Sequence, residues 1–535
     1  MDKENQLEKV GVIVGTTTVA KILINIDRNA IRNNPLQRGE FIILQYPTIK
    51  QPVLAVITEL GLSNLLIPET LVRDPEDMEK IKLIGGLEEG EQIFAEAKII
   101  GYMEESGKII APRYPPVPGS YVYKASKEVL EPLFTQKNGI KIGTLLAHSE
   151  VPVSTDLGEI VRRHLAILAI TGGGKGNTVA ILAKGVLSLG GSMLIIDPHE
   201  EYPQTRDIFG DEKVLVFTSE ANSIKRYRPI RFKISNLDAE ELASLFEVPR
   251  SATKQYSILK HAVKALKTAG GNWDFNHLRN AILEIKEGKK DFSASAEGLL
   301  ARMDKITDTI IFDPEIETPL HDSDNPCLVK TNQLTVVNVS GLSLGTQQLI
   351  VQRLLKRIFR GGIAWRRSFQ GEKIPAPVLV VVEEAHNFAP AKGDAYSLST
   401  LKKIAAEGRK FGVGLCMVSQ RPGKVHPDVL SQCNSMIILK IVNPFDQQNL
   451  EQSAEALSKD LFENLPGLNV GEAVVIGSTI TIPAVVKIDK FEGELGGDDI
   501  DIISMWKKAT KKEEKNQSKK TEIPDHITDD SELFG

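Results

Sequence analysis

The run Ala169-Ile170-Thr171-Gly172-Gly173-Gly174-Lys175 stands where an apolar strand gives way to a helix, and its residue types suit one task, holding phosphates. Small residues let successive backbone N–H groups turn inward, and the positive end of the following helix faces the anion. Lys175 adds a mobile full charge for the β and γ groups. Thr171, Gly172, Gly173, Gly174, Lys175, Gly176, Asn177 and Thr178 are therefore the expected cradle of a nucleoside triphosphate. A second run gives the cradle something to act with. Pro377 to Val382 is apolar and β-branched and ends in Glu383-Glu384, the pattern of a buried parallel strand that delivers carboxylates at its C-terminal end. One carboxylate can hold Mg2+ through water, and the next can orient the attacking water. A glycine turn before a helix would explain the first run alone, but not the pair. ATP and Mg2+ are the expected cofactors.

The cradle departs from its usual pattern at one place. Where Ser or Thr normally follows the lysine and binds the metal, this chain has Gly176. Thr178 does not replace it, because two positions on a helix differ by about 200° of azimuth. Either water takes the place of the hydroxyl and turnover persists with looser metal binding, or the site holds nucleotide and hydrolyses it poorly. The adjacent glutamates favour the first, since hydrolysis is the evident reason to set two carboxylates side by side.

Other residues extend the chemistry. Asp197-Pro198-His199-Glu200-Glu201-Tyr202 follows an apolar strand, so Asp197 can reach the metal or its waters; the competing reading is a cap on the next turn. His199 has no partner at metal-ligand spacing. Gln420, after Ser419 at another strand end, can bond the γ-phosphate or merely cap its strand, with Arg421 beside it. Arg409, in Glu407-Gly408-Arg409-Lys410, is either a base favoured in a last helical turn or an arginine finger for a neighbouring subunit. Arg353, Lys356, Arg357, Arg360, Arg366 and Arg367 make a basic run along one helix. A solvated face is the default reading, and contact with a phosphate backbone the alternative.

These groups need a scaffold. At 535 residues the chain exceeds one ordinary core. Residues 1–126 carry short alternating stretches (Val10–Ile26, Glu40–Tyr46, Val53–Leu60, Glu91–Tyr102, Ile109–Tyr123), split at Asn33-Asn34-Pro35, Gly85-Gly86 and Pro115-Pro116. Such spacing predicts a small β-barrel for docking or assembly. A linker is expected over 127–157. From 158 strands alternate with helices, which predicts an α/β fold with a mostly parallel sheet whose ligands sit beyond the C-terminal strand ends. Asp197, Glu383, Glu384 and Gln420 all fall at that edge. Between 236 and 310 only helical spacing remains, so a helical subdomain is expected to divide the core into 158–235 and 311–494. Residues 495–535 are polar, with mixed Lys and Glu from Lys507 to Lys520, and read as a mobile tail that Phe534 could anchor.

Bulk properties exclude little. A net charge of −5 argues against a uniformly basic coat but permits positive charge inside a ring or channel. Cys327, Cys416 and Cys433 lack metal spacing and suit a reducing compartment. No apolar run approaches the ~18 residues that cross a bilayer, and the charged start is unlike a signal peptide, so no membrane contact and a cytoplasmic location are expected.

Taken in order, Arg163-His164-Leu165-Ala166-Ile167, the Thr171–Thr178 loop, Asp197-Pro198-His199-Glu200-Glu201-Tyr202, Glu383-Glu384-Ala385-His386, Glu407-Gly408-Arg409-Lys410 and Ser419-Gln420-Arg421-Pro422 resemble the HerA family. These are archaeal hexameric DNA translocases of the HerA/FtsK class, and the resemblance spans most of the chain. It implies a RecA-like P-loop ATPase core behind an N-terminal barrel. It implies that Lys175 holds phosphates, Glu383 assists the metal, Glu384 polarises water, Arg409 acts in trans and Gln420 senses the γ-phosphate. It further implies a homo-oligomeric ring, a hexamer in the family, that threads double-stranded DNA without sequence preference. Its partner would be a NurA-type nuclease, in end resection and recombinational repair. Gly176 departs from the family, which usually has Ser there. Two other readings stay open: a secretion or conjugation ATPase, which usually relies on a membrane anchor, and an assembly protein in which nucleotide only fixes ring shape.

Overall fold

The computed structural model describes residues 8–27, 36–64, 91–496 and 502–510, apart from 106, 137, 221, 223, 289, 307–308, 455–456 and 509. The turns at Asn33–Pro35 and Gly85–Gly86, the tail beyond 510 and Phe534 lie outside the described residues. Seven strands come first: β1 (Lys9–Val14), β2 (Lys21–Ile26), β3 (Phe41–Tyr46), β4 (Ile49–Asn64), β5 (Glu91–Met103), β6 (Ile109–Ile110) and β7 (Tyr121–Lys124). Val10–Ile26 folds back on itself as a hairpin, and Ile109–Tyr123 is interrupted between β6 and β7. Six strands close in the order β2-β1-β7-β3-β4-β5, with β5 returning to β2 and every pair antiparallel. Ile22, Ile24 and Ile26 point inward at period two, and among the described residues closure leaves only the short β6 outside the ring.

Residues 127–157 are not the expected linker. They fold as α1 (Lys127–Phe134), β8 (Gly139–Leu145) and β9 (Pro152–Asp156). β8 pairs with a strand near the far end of the chain, and that long-range bond is what local composition could not reveal. Phe134 packs against Phe41 of the barrel with ring centroids 5.4 Å apart, and Phe41, Ile43 and Leu54 share one core with the ATPase sheet. Barrel and sheet are thus joined through a common apolar interior.

Then follow α2 (Leu157–Arg163), β10 (Leu165–Leu168), α3 (Lys175–Ser188), β11 (Ser192–Asp197), β12 (Val214–Thr218), β13 (Arg228–Pro229) and β14 (Phe232–Lys233). Four helices come next: α4 (Ala239–Leu245), α5 (Thr253–Ala269), α6 (Phe275–Gly288) and α7 (Ser293–Met303). The chain returns through β15 (Phe312–Asp313), β16 (Gln333–Asn338), α8 (Leu344–Arg367), β17 (Val378–Val382), α9 (Tyr396–Glu407), β18 (Val413–Ser419), β19 (Ser435–Ile438), β20 (Glu472–Gly477) and β21 (Ala484–Ile488). The main sheet runs β13-β12-β16-β11-β17-β18-β10-β19-β20-β21-β8-β9, parallel from β13 to β19 and antiparallel beyond. Its central strands are buried on both faces, which is why they read as unbroken apolar runs. Leu194 and Ile196 pack towards α8, whereas Met193 and Ile195 pack towards α3. This is a RecA-like P-loop core with a helical insertion and an N-terminal β-barrel.

The insertion begins where the sequence signals a helix start: Asp238 and Glu241 form a reciprocal capping box at α4. Its helices enclose their own core around Leu242, Leu259, Leu278 and Leu299, closed by Leu349 of α8. The basic run on α8 divides in two: Arg360, Arg366 and Arg367 are exposed, as the solvated-face reading expects, whereas Arg353 and Arg357 are not. Arg353 is 7% and Arg357 6% exposed. Arg353 Nη2 donates to Glu317 at 2.7 Å, and Arg357 grips Glu372 with Nε and Nη2 at 3.1 and 2.6 Å. Lys356 bridges Asp238 and Glu240 at 3.2 and 3.1 Å, so the cations of α8 tie the insertion to the sheet.

His164 locks the lead-in to the phosphate loop. Its Nδ1 accepts from the Leu415 N–H at 3.0 Å, and Nε2 donates to the Ala405 carbonyl at 3.0 Å. Burial pushes its pKa down to about 4. Between the ordinary imidazole value and that one, the unfolded chain binds a proton that the folded chain refuses. Stability present above pH ~6.5 is therefore lost as pH falls towards 4, by about 3 kcal/mol in the limit. In urea unfolding at pH 7 and pH 5, the parent should lose about 2 kcal/mol more than His164→Gln. Equal losses would show that this ring does not carry the linkage.

Candidate functional site

The parallel register brings four strand ends to one edge of the sheet. β10 pairs with β18 and β19, β17 with β18 and β11, so the phosphate loop, Asp197, Glu383-Glu384 and Ser419-Gln420 converge there. The loop needs glycine at two positions. Gly172 has φ +72° and Gly174 φ +101°, and Gly174 is the N-cap of α3. A Cβ at Gly172 would meet nothing within 4 Å, so the loop presents bare backbone towards open space ahead of Lys175.

Glu383 is buried beneath this loop and accepts a hydrogen bond from the Tyr202 hydroxyl. Burial pushes its carboxyl up to about 8, against the opposing hydrogen bond from Tyr202, with Glu201 adding to the rise and Lys175 opposing it. Glu384 has left-handed backbone, φ +48°, which turns its side chain away from that of Glu383. Its oxygens lie 3.2 Å from His386 Nδ1 and 3.9 Å from His199 Nε2. His386 is held down at about 4 by burial and by the cations Arg421, Lys424 and Lys175, so it stands beside Glu384 as a neutral ring. Its Nδ1 lies 3.2 Å from the Ser419 hydroxyl. Next to it, the Thr171 hydroxyl donates to Gln420 Oε1 and ties the sensor candidate to the phosphate loop.

Asp197 takes the capping alternative, and two residues of the loop are placed otherwise than the sequence suggested. The Asp197 carboxylate accepts from the backbone N–H groups of His199, Glu201 and Tyr202 at 3.1, 3.2 and 3.1 Å, a capping arrangement that faces its own loop. The Asn177 side chain is committed elsewhere; it donates to Asp489 O and accepts from Phe491 N, each at 2.8 Å. Thr178 is buried and donates to Gly174 O at 2.9 Å, which shapes the helix start. Residue adjacency in the loop had suggested nucleotide contact for both, but the partner of Asn177 lies near the other end of the chain.

Arg409 is exposed and, among the described residues, makes no ion pair. It precedes β18 at the edge where that strand begins, whereas Lys175 follows β10 at the opposite edge. Seven residues of β18 separate the two edges, roughly 20 Å of extended chain. Arg409 therefore does not face its own subunit's phosphate loop. It shares an open concavity with Arg162, Trp365, Arg366 and Lys410.

Among the described residues, no three His, Cys, Asp or Glu side chains group as a protein-only metal site. No helix among them is long and apolar enough to cross a membrane.

A phosphate loop, a strand-end glutamate pair and a strand-end glutamine on a RecA-like sheet define a P-loop ATPase. The family model for the central domain of the helicase HerA matches residues 140–358. The DNA double-strand break repair helicase HerA of Saccharolobus solfataricus is 32% identical over 94% of this chain and 97% of its own length. That of Pyrococcus furiosus is 34% identical over 79% of this chain and 83% of its own. Among solved structures, VirB4 of Thermoanaerobacter pseudethanolicus aligns with a TM-score of 0.49 at 16% identity, over 67% of this chain and 98% of that one. The chain belongs to the HerA family of helicases.

Proposed function

We propose that this chain is the motor subunit of a ring that couples ATP hydrolysis to movement along double-stranded DNA in double-strand break repair. The observation that carries the reading is the convergence of the glycine cradle, Lys175, Glu383, Glu384 and Gln420 at one sheet edge. The bare backbone of Gly172 and Gly174, with Lys175 at the helix start, fits a triphosphate, and buried Glu383 fits a magnesium ion held through water. When bound, magnesium would offset the phosphate charge. Lys175 would bind and orient the β and γ phosphates, Glu384 would align the attacking water, and Gln420 would report loss of the γ-phosphate to the loop at Arg421. Arg409 would complete the site of an adjoining protomer, which the separation of the two sheet edges supports.

In this reading residues 1–126 form the assembly and docking module, 158–235 with 311–494 the engine, and 236–310 its helical insertion. The segment 127–157 belongs with the engine, as do Leu495, packed on its core, and Gly496, bonded to Glu201; the tail follows them. The ring is a homo-oligomer, a hexamer by family likeness. The barrel is the face offered to a NurA-type nuclease, and the common work is end resection.

DNA-stimulated hydrolysis is the test. Phosphate release should rise on adding duplex of any sequence, and the stimulation should fall steeply between about 50 and 200 mM salt, because phosphates rather than base edges are gripped. Gly176 favours one rival, an assembly protein with weak hydrolysis; a rate indifferent to duplex at every salt concentration would select that rival.

A further inference from the structure

Gly176 leaves a space that another side chain occupies. A Cβ built on Gly176 would stand 2.9 Å from Glu201 Oε2 and 3.9 Å from the Tyr202 hydroxyl, whose proton goes to Glu383. The first turn of α3, where the hydroxyl of a Ser or Thr would point, is thus covered by a carboxylate from the loop after β11. Glu201 is half-buried, and its carboxylate makes no hydrogen bond or ion pair among the described residues. Its backbone, by contrast, is held at both ends: the N–H donates to Asp197, and the carbonyl accepts from Gly496 N at 2.8 Å. The Asp197 cap therefore aims an otherwise uncommitted carboxylate at the one position in the phosphate loop that lacks its ligand.

We propose that Glu201 supplies the magnesium ligand that Gly176 lacks. This rests on the reading of the site as a Mg·ATP site. Magnesium takes one or two carboxylates together with phosphate oxygens and waters, so a carboxylate can replace a hydroxyl with no change in ligand count. The exchange adds a full negative charge where the usual loop has a neutral group. Metal affinity in the presence of nucleotide should therefore depend on Glu201 more than on any residue of the loop itself. Glycine at 176 is then a requirement, since a side chain there would push Glu201 aside.

The test is Mn2+ binding by electron paramagnetic resonance, with ADP present, to the full chain, to Glu201→Gln and to Gly176→Ser/Glu201→Gln. Glu201→Gln should weaken Mn2+ binding by about tenfold or more. ADP binding in EDTA should stay unchanged, and the serine of the double variant should restore most of the metal affinity. Parent-like Mn2+ binding by Glu201→Gln overturns the proposal. So does an equal loss of ADP in EDTA, which would mean a structural role, or a double variant as weak as the single one. If the parent chain binds no ADP, the reading of the site itself fails; if it binds Mn2+ and ADP and Glu201→Gln matches it, only the present assignment does.

Discussion

Glu384→Gln should lower ATP hydrolysis by about 10²- to 10⁴-fold while nucleotide still binds. The expectation comes from geometry. Glu384 is 4% exposed, and its left-handed backbone turns it from the buried Glu383 towards His199 and His386. His386 stays neutral there, so it stands beside the carboxylate without offsetting its charge as a cation would. Glutamine keeps the shape and loses the basicity needed to align and deprotonate water. Lys175→Ala should behave differently and lose nucleotide affinity as well, because it removes the charge that meets the phosphates. Phosphate release together with fluorescent nucleotide binding separates the two. Hydrolysis by Glu384→Gln at the parental rate would remove this residue from the chemistry.

Arg409→Ala should cost about 10³- to 10⁵-fold in hydrolysis with the subunit's own nucleotide binding preserved. The residue precedes β18 on the edge away from Lys175, so an effect on hydrolysis is expected to be exerted on another copy. Mixing makes this specific. Arg409→Ala subunits keep Glu384, and Glu384→Gln subunits keep the finger. A mixed assembly then contains interfaces that unite an intact finger with an intact glutamate, and those should recover activity that neither variant shows alone. Differently tagged subunits establish that mixing has occurred. No recovery from demonstrably mixed assemblies would exclude a trans role.

How much of this was legible in sequence depends on how far apart the partners lie. The phosphate loop and the Glu383-Glu384 strand were plain, because buried parallel strands are continuous apolar runs and their polar ends stand out against them. The capping box at Asp238 and Glu241 joins residues three apart, the short range at which sequence pattern and structure coincide. Three features were not plain. Residues 127–157 looked like a linker because β8 finds its neighbour in β21, at the other end of the ATPase. Arg353 and Arg357 looked like a surface stripe because Glu317 and Glu372 come from segments outside the helix. Asn177 looked like a nucleotide contact because it sits in the motif, whereas its bonds run to Asp489 and Phe491. Periodicity reports which face of an element is apolar; it says nothing about which distant residue meets a polar one.

The packing of Phe41 on Phe134, with Ile43 and Leu54 in the interior that β8 and β9 help to build, bears on how such a chain can be rearranged. The N-terminal strands cannot be exchanged between relatives by cutting at residue 126, since the cut would expose apolar surface on both pieces. A workable chimaera must carry the next thirty or so residues along with the barrel, and that indivisible unit sets the grain at which recombination can shuffle this architecture.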